Sequence, residues 1–216
     1  MTLKDRLNKK EITLGSWVSL GHPSIVEIFA KAGLDWVVID LEHSVITISD
    51  AADLIRVIDL CGVAPLVRLT SNSPDQIKRV MDAGAHGIIV PMVKTEAEAE
   101  KAVAATRYQP QGNRGVGLAR AQGYGPTFQE YLKWQESSPI VIVQIEHIDA
   151  IRNIESILNV DGVDGLIIGP YDLSASMGIP GQFDNAEFVK AVDQIKKSAL
   201  KKKCVIGTHI VEPDHD

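Results

Sequence analysis

The chain has 216 residues, 45% of them hydrophobic, and a formal net charge of −6 at pH 7 with acidic and basic residues mixed along its length. That length suits one large undivided domain, and the mixed charge leaves no basic footprint for nucleic acid. No apolar run reaches the roughly 18 residues of a membrane span, and the start, MTLKDRLNKK, lacks a leader's hydrophobic segment, so a soluble cytoplasmic protein is expected.

Short β-rich runs alternate with helical patterns along the chain. GSWVSL (15–20) precedes PSIVEIFAKAG, WVVIDLE (36–42) precedes SDAADLIRVIDLCG, and PLVRLT (65–70) precedes SPDQIKRVMDAGA. GIIVPMV (87–93) then leads into TEAEAEKAVAATRY, followed by IVIVQIE (140–146), GLIIGPYDL (165–173), the helical NAEFVKAVDQIKKSALKKK and CVIGTHI (204–210). Several helices open on Ser, Thr or Asn and close on Gly, the usual start and stop signals. The strands are continuous hydrophobic runs rather than alternating ones, which marks a parallel sheet covered on both faces. Cys61 and Cys204 stand far apart in apolar surroundings and read as small core hydrophobes in a reducing compartment.

Seven strands with crossover helices and no internal boundary predict a TIM (β/α)₈ barrel over residues 1–216, with the eighth strand and final helix missing after CVIGTHIVEPDHD. A doubly wound open sheet is the competitor, but polar residues ending nearly every strand favour the barrel. The one long irregular stretch, 108–138, follows a helix, so its glycines do not make a phosphate loop. It predicts a long loop over one end of the barrel or at a subunit contact, with Arg114 and Arg120 as solvated surface residues or as groups facing an acidic substrate.

In a parallel barrel the carboxyl ends of all strands meet on one face. The residues gathered there are Asp40, Glu42, His43, Arg68, Gln144, Glu146, Asp172, Thr208 and His209. Gln144 and Glu146 are two apart and share a face. Glu146 and Asp172 end adjacent strands, and two such carboxylates repel unless a cation lies between them. Capping of the following helices is the ordinary role for either alone, whereas the pair beside His43 and Arg68 points to a divalent metal such as Mg²⁺ or Mn²⁺. An arginine ending an apolar strand needs an anionic partner or a cleft, and its planar fork suits a carboxylate or an enolate oxygen. Lys94, after VPMV, is placed like a Schiff-base lysine, but its acidic neighbours predict a solvated side chain.

The stretches VVIDLEHS, PLVRLT, GIIVPMV, RYQPQGNRGVG, VQIEH and GPYDLSASMG resemble the HpcH/HpaI aldolase family, the metal-dependent class II pyruvate aldolases. The resemblance implies that Glu146 and Asp172 hold the metal (Mg²⁺ or Mn²⁺, with Co²⁺ a further option) and that Arg68 holds the keto or enolate oxygen. It also implies that His43 is the acid/base group with Asp82 paired to it. Gln144 stands beside the metal, and the backbone at Tyr171 and Asp172 grips the pyruvate carboxylate. Family members assemble as hexamers, so a homo-oligomer acting on a small 2-oxo acid, with no nucleic-acid or membrane partner, is implied. The chain departs from the family at Tyr171, where a smaller residue is usual, and in its short C-terminus. The implied reaction is cleavage of a 4-hydroxy-2-oxo acid to pyruvate and an aldehyde. Citrate-like condensation with oxaloacetate and a non-catalytic barrel are the alternatives.

Overall fold

The computed structural model describes residues 1–210; the last stretch, VEPDHD, lies outside the described residues. The elements run α1 (Leu3–Lys9), β1 (Gly15–Val18), α2 (Pro23–Lys31), β2 (Trp36–Asp40), α3 (Ile48–Leu60), β3 (Ala64–Arg68), α4 (Pro74–Asp82), β4 (Gly87–Val90) and α5 (Glu96–Thr106). A 3₁₀ turn at Arg120–Gln122 and α6 (Phe128–Ser137) follow, then β5 (Ile140–Ile145), α7 (Ile148–Arg152), α8 (Ile154–Ile157), β6 (Gly165–Ile168), α9 (Pro170–Ser176), α10 (Ala186–Lys202) and β7 (Val205–Gly207). The seven strands form one parallel sheet in chain order, as the continuous hydrophobic runs predict. Helices α3 and α5 open on capping boxes, Thr47 with Asp50 and Thr95 with Glu98.

The sheet is curled. Leu3, Leu7, Val38, Ala64, Leu66, Ile89, Ile140 and Ile167 form one buried cluster, against which Trp17 of β1 and Val205 of β7 also pack. Residues from every strand can share that cluster only if the sheet bends around it. The rings of Trp17 and His209 stack with centroids 5.5 Å apart, so the ends of the first and last strands approach each other. The alternate residues Val37, Ile39, Val67, Ile88, Val90, Val141, Val143 and Leu166 face outward and bury under the helices.

Helix α1 opens on a capping box of Thr2 with Asp5, ahead of the first strand. It closes the amino-terminal end of the curl with Leu3 and Leu7, while Lys4 donates to the carbonyl of Pro139 at 3.0 Å and pairs with Asp164 at 2.5 Å. The expected 108–138 loop contains the 3₁₀ turn and α6 instead. Its arginines are held by partners within the fold rather than solvated. Arg114 is 4% exposed, donates to Thr106 O and Tyr131 Oη, and lies over the Tyr108 ring, whereas Arg120 pairs with Asp59 at 2.5 Å. A buried guanidinium sandwiched by aromatic rings anchors this segment to the fold.

Candidate active site

Parity along the strands decides which polar residues meet. Inward positions on β2 are 36, 38 and 40, on β3 64, 66 and 68, and on β5 140, 142 and 144, so Asp40, Arg68 and Gln144 point into the open end of the curl. Glu146, one step beyond β5, continues that face and is 2% exposed.

Asp40 and Arg68 stand side by side in register on β2 and β3. Arg68 Nε donates to Asp40 Oδ1 at 2.8 Å and Nη2 to Oδ2 at 2.6 Å, the bidentate fork that a buried arginine requires. Asp40 Oδ1 also accepts the amides of Glu42 and His43 at 3.0 and 3.2 Å, which shapes the DLEH turn. Burial alone would raise the Asp40 carboxyl, but the Arg68 fork and these amides hold it below its ordinary value. The Arg68 guanidinium stacks over Trp17 at 4.7 Å, leaving Nη1 aimed at Glu42 Oε2, 3.4 Å away. Neither Asp40 as the partner of Arg68 nor Trp17 is evident from the sequence. The signal for Asp40 is a charge two residues before the end of a hydrophobic run, at the parity that faces inward.

Glu146 Oε1 accepts the Met92 amide at 2.7 Å and Oε2 accepts from Gln144 Nε2 at 2.5 Å. Met92 adopts φ 55°, an unusual backbone for a side chain of its size, and that turn presents its N–H to the carboxylate. Desolvation raises the Glu146 pKa above its ordinary value, and the charge of Asp172 raises it further. Asp172 does not end a strand as expected. β6 stops at Ile168, and Pro170 starts α9, so Asp172 sits exposed in that helix's first turn. Among the described residues neither carboxylate forms an ion pair, and no third His, Cys, Asp or Glu clusters with them.

Gly169 explains how Glu146 fits. A Cβ there would lie 2.5 Å from Glu146 Oε2 and 2.8 Å from Glu146 Cβ, although its φ of −93° suits any residue. Gly169→Ala is expected to push the Glu146 carboxylate off Gln144 and to lower the thermal unfolding midpoint by about 2–4 °C or more, with little change in secondary structure. Thermal unfolding followed by circular dichroism checks this, and an unchanged midpoint removes the steric argument.

His43 follows β2 with its ring largely exposed, Nε2 lying 3.8 Å from Glu42 Oε2. Asp82 does not join it. As the last residue of α4, which returns toward the opposite end of the sheet, Asp82 faces Arg114 at 3.8 Å, and its buried Oδ1 has no hydrogen bond among the described residues. Among the described residues of this chain, Asp82 and His43 therefore form no ion pair. Tyr171 is exposed and meets Phe183 edge-on at 5.0 Å. His209 stacks on Trp17, and Lys94 is half-buried with its amide donating to Glu98. Clefts of about 310 and 330 Å³ occur at the amino-terminal end around Asp59, His86 and Trp134, but they contain none of these strand-end groups.

The parallel, curled α/β sheet thus gathers inward carboxylates and an arginine at its carboxyl end. The family model HpcH/HpaI aldolase/citrate lyase matches residues 13–215, and the chain belongs to that family. It is 42% identical over 192 residues to the 4-hydroxy-2-oxo-heptane-1,7-dioate aldolase of Salmonella typhimurium, covering 88% of this chain and 73% of the relative. It is 38% identical over 213 residues to the 2-keto-3-deoxy-L-rhamnonate aldolase of Escherichia coli K12, covering 98% and 79%. The crystal structure of an HpcH/HpaI aldolase from Desulfitobacterium hafniense superposes with TM-score 0.91 at 32% identity, covering 99% of this chain and 83% of that one.

Proposed function

We propose that this chain is a divalent-metal-dependent aldolase, cleaving 4-hydroxy-2-oxo acids to pyruvate and an aldehyde and catalysing the reverse condensation. The chain is a carbon–carbon lyase by its family and its aldolase relatives. Those names favour aldol cleavage over citrate-like condensation. The single domain of residues 1–216 is proposed as a (β/α)₈-type barrel of which the described residues supply seven strands. A cytoplasmic homo-oligomer is proposed in addition, supported by the exposed apolar residues Ile12, Val45, Val116 and Leu118 and by the lack, among the described residues, of a helix able to cross a membrane.

The observation that carries the reading is the inward set Arg68, Gln144 and Glu146, with Asp172 close enough to raise Glu146. The donor set fits a hard cation, because two carboxylates without cationic partners leave further positions for water and substrate oxygens. Glu146 and Asp172 would hold Mg²⁺ or Mn²⁺, with Co²⁺ a further candidate, and when bound the ion supplies a Lewis acid for the keto acid. Arg68, held by Asp40 and Trp17, presents Nη1 to the oxygen that gains negative charge. Gln144 orients Glu146. The amides of Tyr171 and Asp172, in the first turn of α9, have no intrahelical acceptor and are offered to the substrate carboxylate. His43 takes the C4-hydroxyl proton, a role that suits an imidazole. Tyr171 narrows the side of the aldehyde.

Pyruvate release from a panel of 4-hydroxy-2-oxo acids with Mg²⁺ or Mn²⁺ tests the proposal. Release is expected to stop on chelation, and borohydride with pyruvate is expected to leave Lys94 and every other lysine unmodified. A pyruvyl-lysine adduct, or release that resists chelation, overturns the metal-dependent class.

A further inference from the structure

Glu42 has no role in the mechanism above, yet its Oε2 is buried beside Arg68 and His43 and has no hydrogen-bond donor among the described residues. Arg68 Nη1 stands 3.4 Å away and His43 Nε2 3.8 Å away, both beyond good hydrogen-bond length. Asp40, two residues earlier, accepts four donors from Arg68, Glu42 and His43. Two neighbouring carboxyls thus occupy opposite environments, the arrangement that separates an ionised group from a proton carrier. A buried oxygen left without a donor is unfavourable, so Glu42 Oε2 calls for a hydrogen of its own or one supplied by a ligand. Burial pushes the Glu42 carboxyl up to about 7, against the opposing pull of Arg68 and with a further upward push from Glu146. An oxygen that accepts from Arg68 Nη1 would lie beside Glu42 Oε2, because the two protein atoms are 3.4 Å apart, and the carbon two bonds further on would be turned toward Glu42.

We propose that Glu42 is a further catalytic residue, the carrier of the proton that joins C3 of the pyruvate enolate. The inference rests on the aldolase reading and deepens it. In cleavage, His43 takes the proton of the C4 hydroxyl as the C3–C4 bond breaks; C4 becomes the aldehyde carbon, and the electron pair of the broken bond passes into the enolate. Protonated Glu42 gives its proton to C3, forming the methyl C–H bond as the enolate returns to the ketone. The Glu42 carboxylate then recovers a proton from His43 Nε2 across the short gap between them. Both groups end as they began, and no outside proton is consumed.

Exchange of pyruvate methyl protons in deuterated water, followed by proton NMR with the Mg²⁺-loaded protein, isolates this step. Decarboxylation of oxaloacetate reaches the same enolate by losing carbon dioxide, without breaking a C–H bond. Glu42→Gln is expected to slow exchange at least about a hundredfold, in line with loss of a positioned acid–base group. It should leave carbon dioxide release within about tenfold and pyruvate affinity, read by tryptophan fluorescence, within about threefold. Glu42→Asp, which draws the carboxyl back from C3, should show the same split to a smaller degree and serves if the glutamine variant does not fold. His43→Ala should slow cleavage more than exchange. Exchange within threefold of wild type in Glu42→Gln overturns the proposal, as does an equal loss of exchange and decarboxylation. A wild-type protein that performs neither reaction overturns the aldolase reading itself, and the relay with it.

Discussion

Glu146→Ala is expected to lower Mn²⁺ affinity by at least about a hundredfold and to abolish chelator-sensitive pyruvate release. Loss of a group that merely supports a ligand typically costs 10–100-fold, and Glu146 is proposed as a ligand itself. The substitution also strands the Met92 amide and Gln144 Nε2, which donate to its two oxygens. Thermal unfolding supplies a readout independent of turnover. An ion at a hundred times its dissociation constant stabilises the native state by about 2.7 kcal/mol, so wild type should melt higher with Mn²⁺ and the variant should not. Without metal the linkage runs the other way. Because burial raises the Glu146 pKa, its contribution is greatest below the ordinary value of 4.5 and falls as the pH rises through the folded value. The metal-free variant should therefore gain stability relative to wild type as the pH rises past 4.5. An undiminished Mn²⁺ affinity would place the ion elsewhere.

Arg68→Ala is expected to damage both catalysis and folding. Removing a charged donor to a developing oxyanion typically slows the reaction by about 10²–10³. It also leaves Asp40, 6% exposed, without its bidentate partner, and breaking a buried pair from one side costs about 3–5 kcal/mol. In wild type the Asp40 pKa is depressed, so its stabilisation is present above the ordinary 3.8 and is lost as the pH falls through the folded value. In the variant only the Glu42 and His43 amides oppose desolvation, so the pKa rises, and the penalty should be greatest at neutral pH and relieved on acidification. Adding Asp40→Asn should restore much of the stability without restoring activity, as urea unfolding and pyruvate release would show. Full stability in Arg68→Ala at neutral pH would mean that the fork contributes nothing to folding.

Much of this architecture is legible in the sequence because it is written locally. WVVIDLE, PLVRLT and IVIVQIE carry the continuous apolar character of strands buried on both faces, and Thr47 and Thr95 mark helix starts through capping boxes that span three residues. The inward pairing of Gln144 with Glu146 follows from a spacing of two along one strand. Where a single residue changed the local geometry, the strand pattern misled. GLIIGPYDL reads as one run, but Pro170 at the first helical position ends it and moves Asp172 from strand to helix.

Hydrophobic period, caps and side-chain parity act over a few residues, and they suffice for a parallel α/β chain whose strand ends carry carboxylates, an arginine and a histidine. Which of those groups meet depends on long-range packing. The register of β2 against β3 joined Asp40 to Arg68, the curl of the sheet brought Trp17 over that arginine, and the absence of a side chain at Gly169 made room for Glu146. The return of α4 took Asp82 to Arg114 and away from His43. These are contacts between residues separated by tens of positions. Their geometry is set by how strands align and helices cross, which no short stretch of chain encodes.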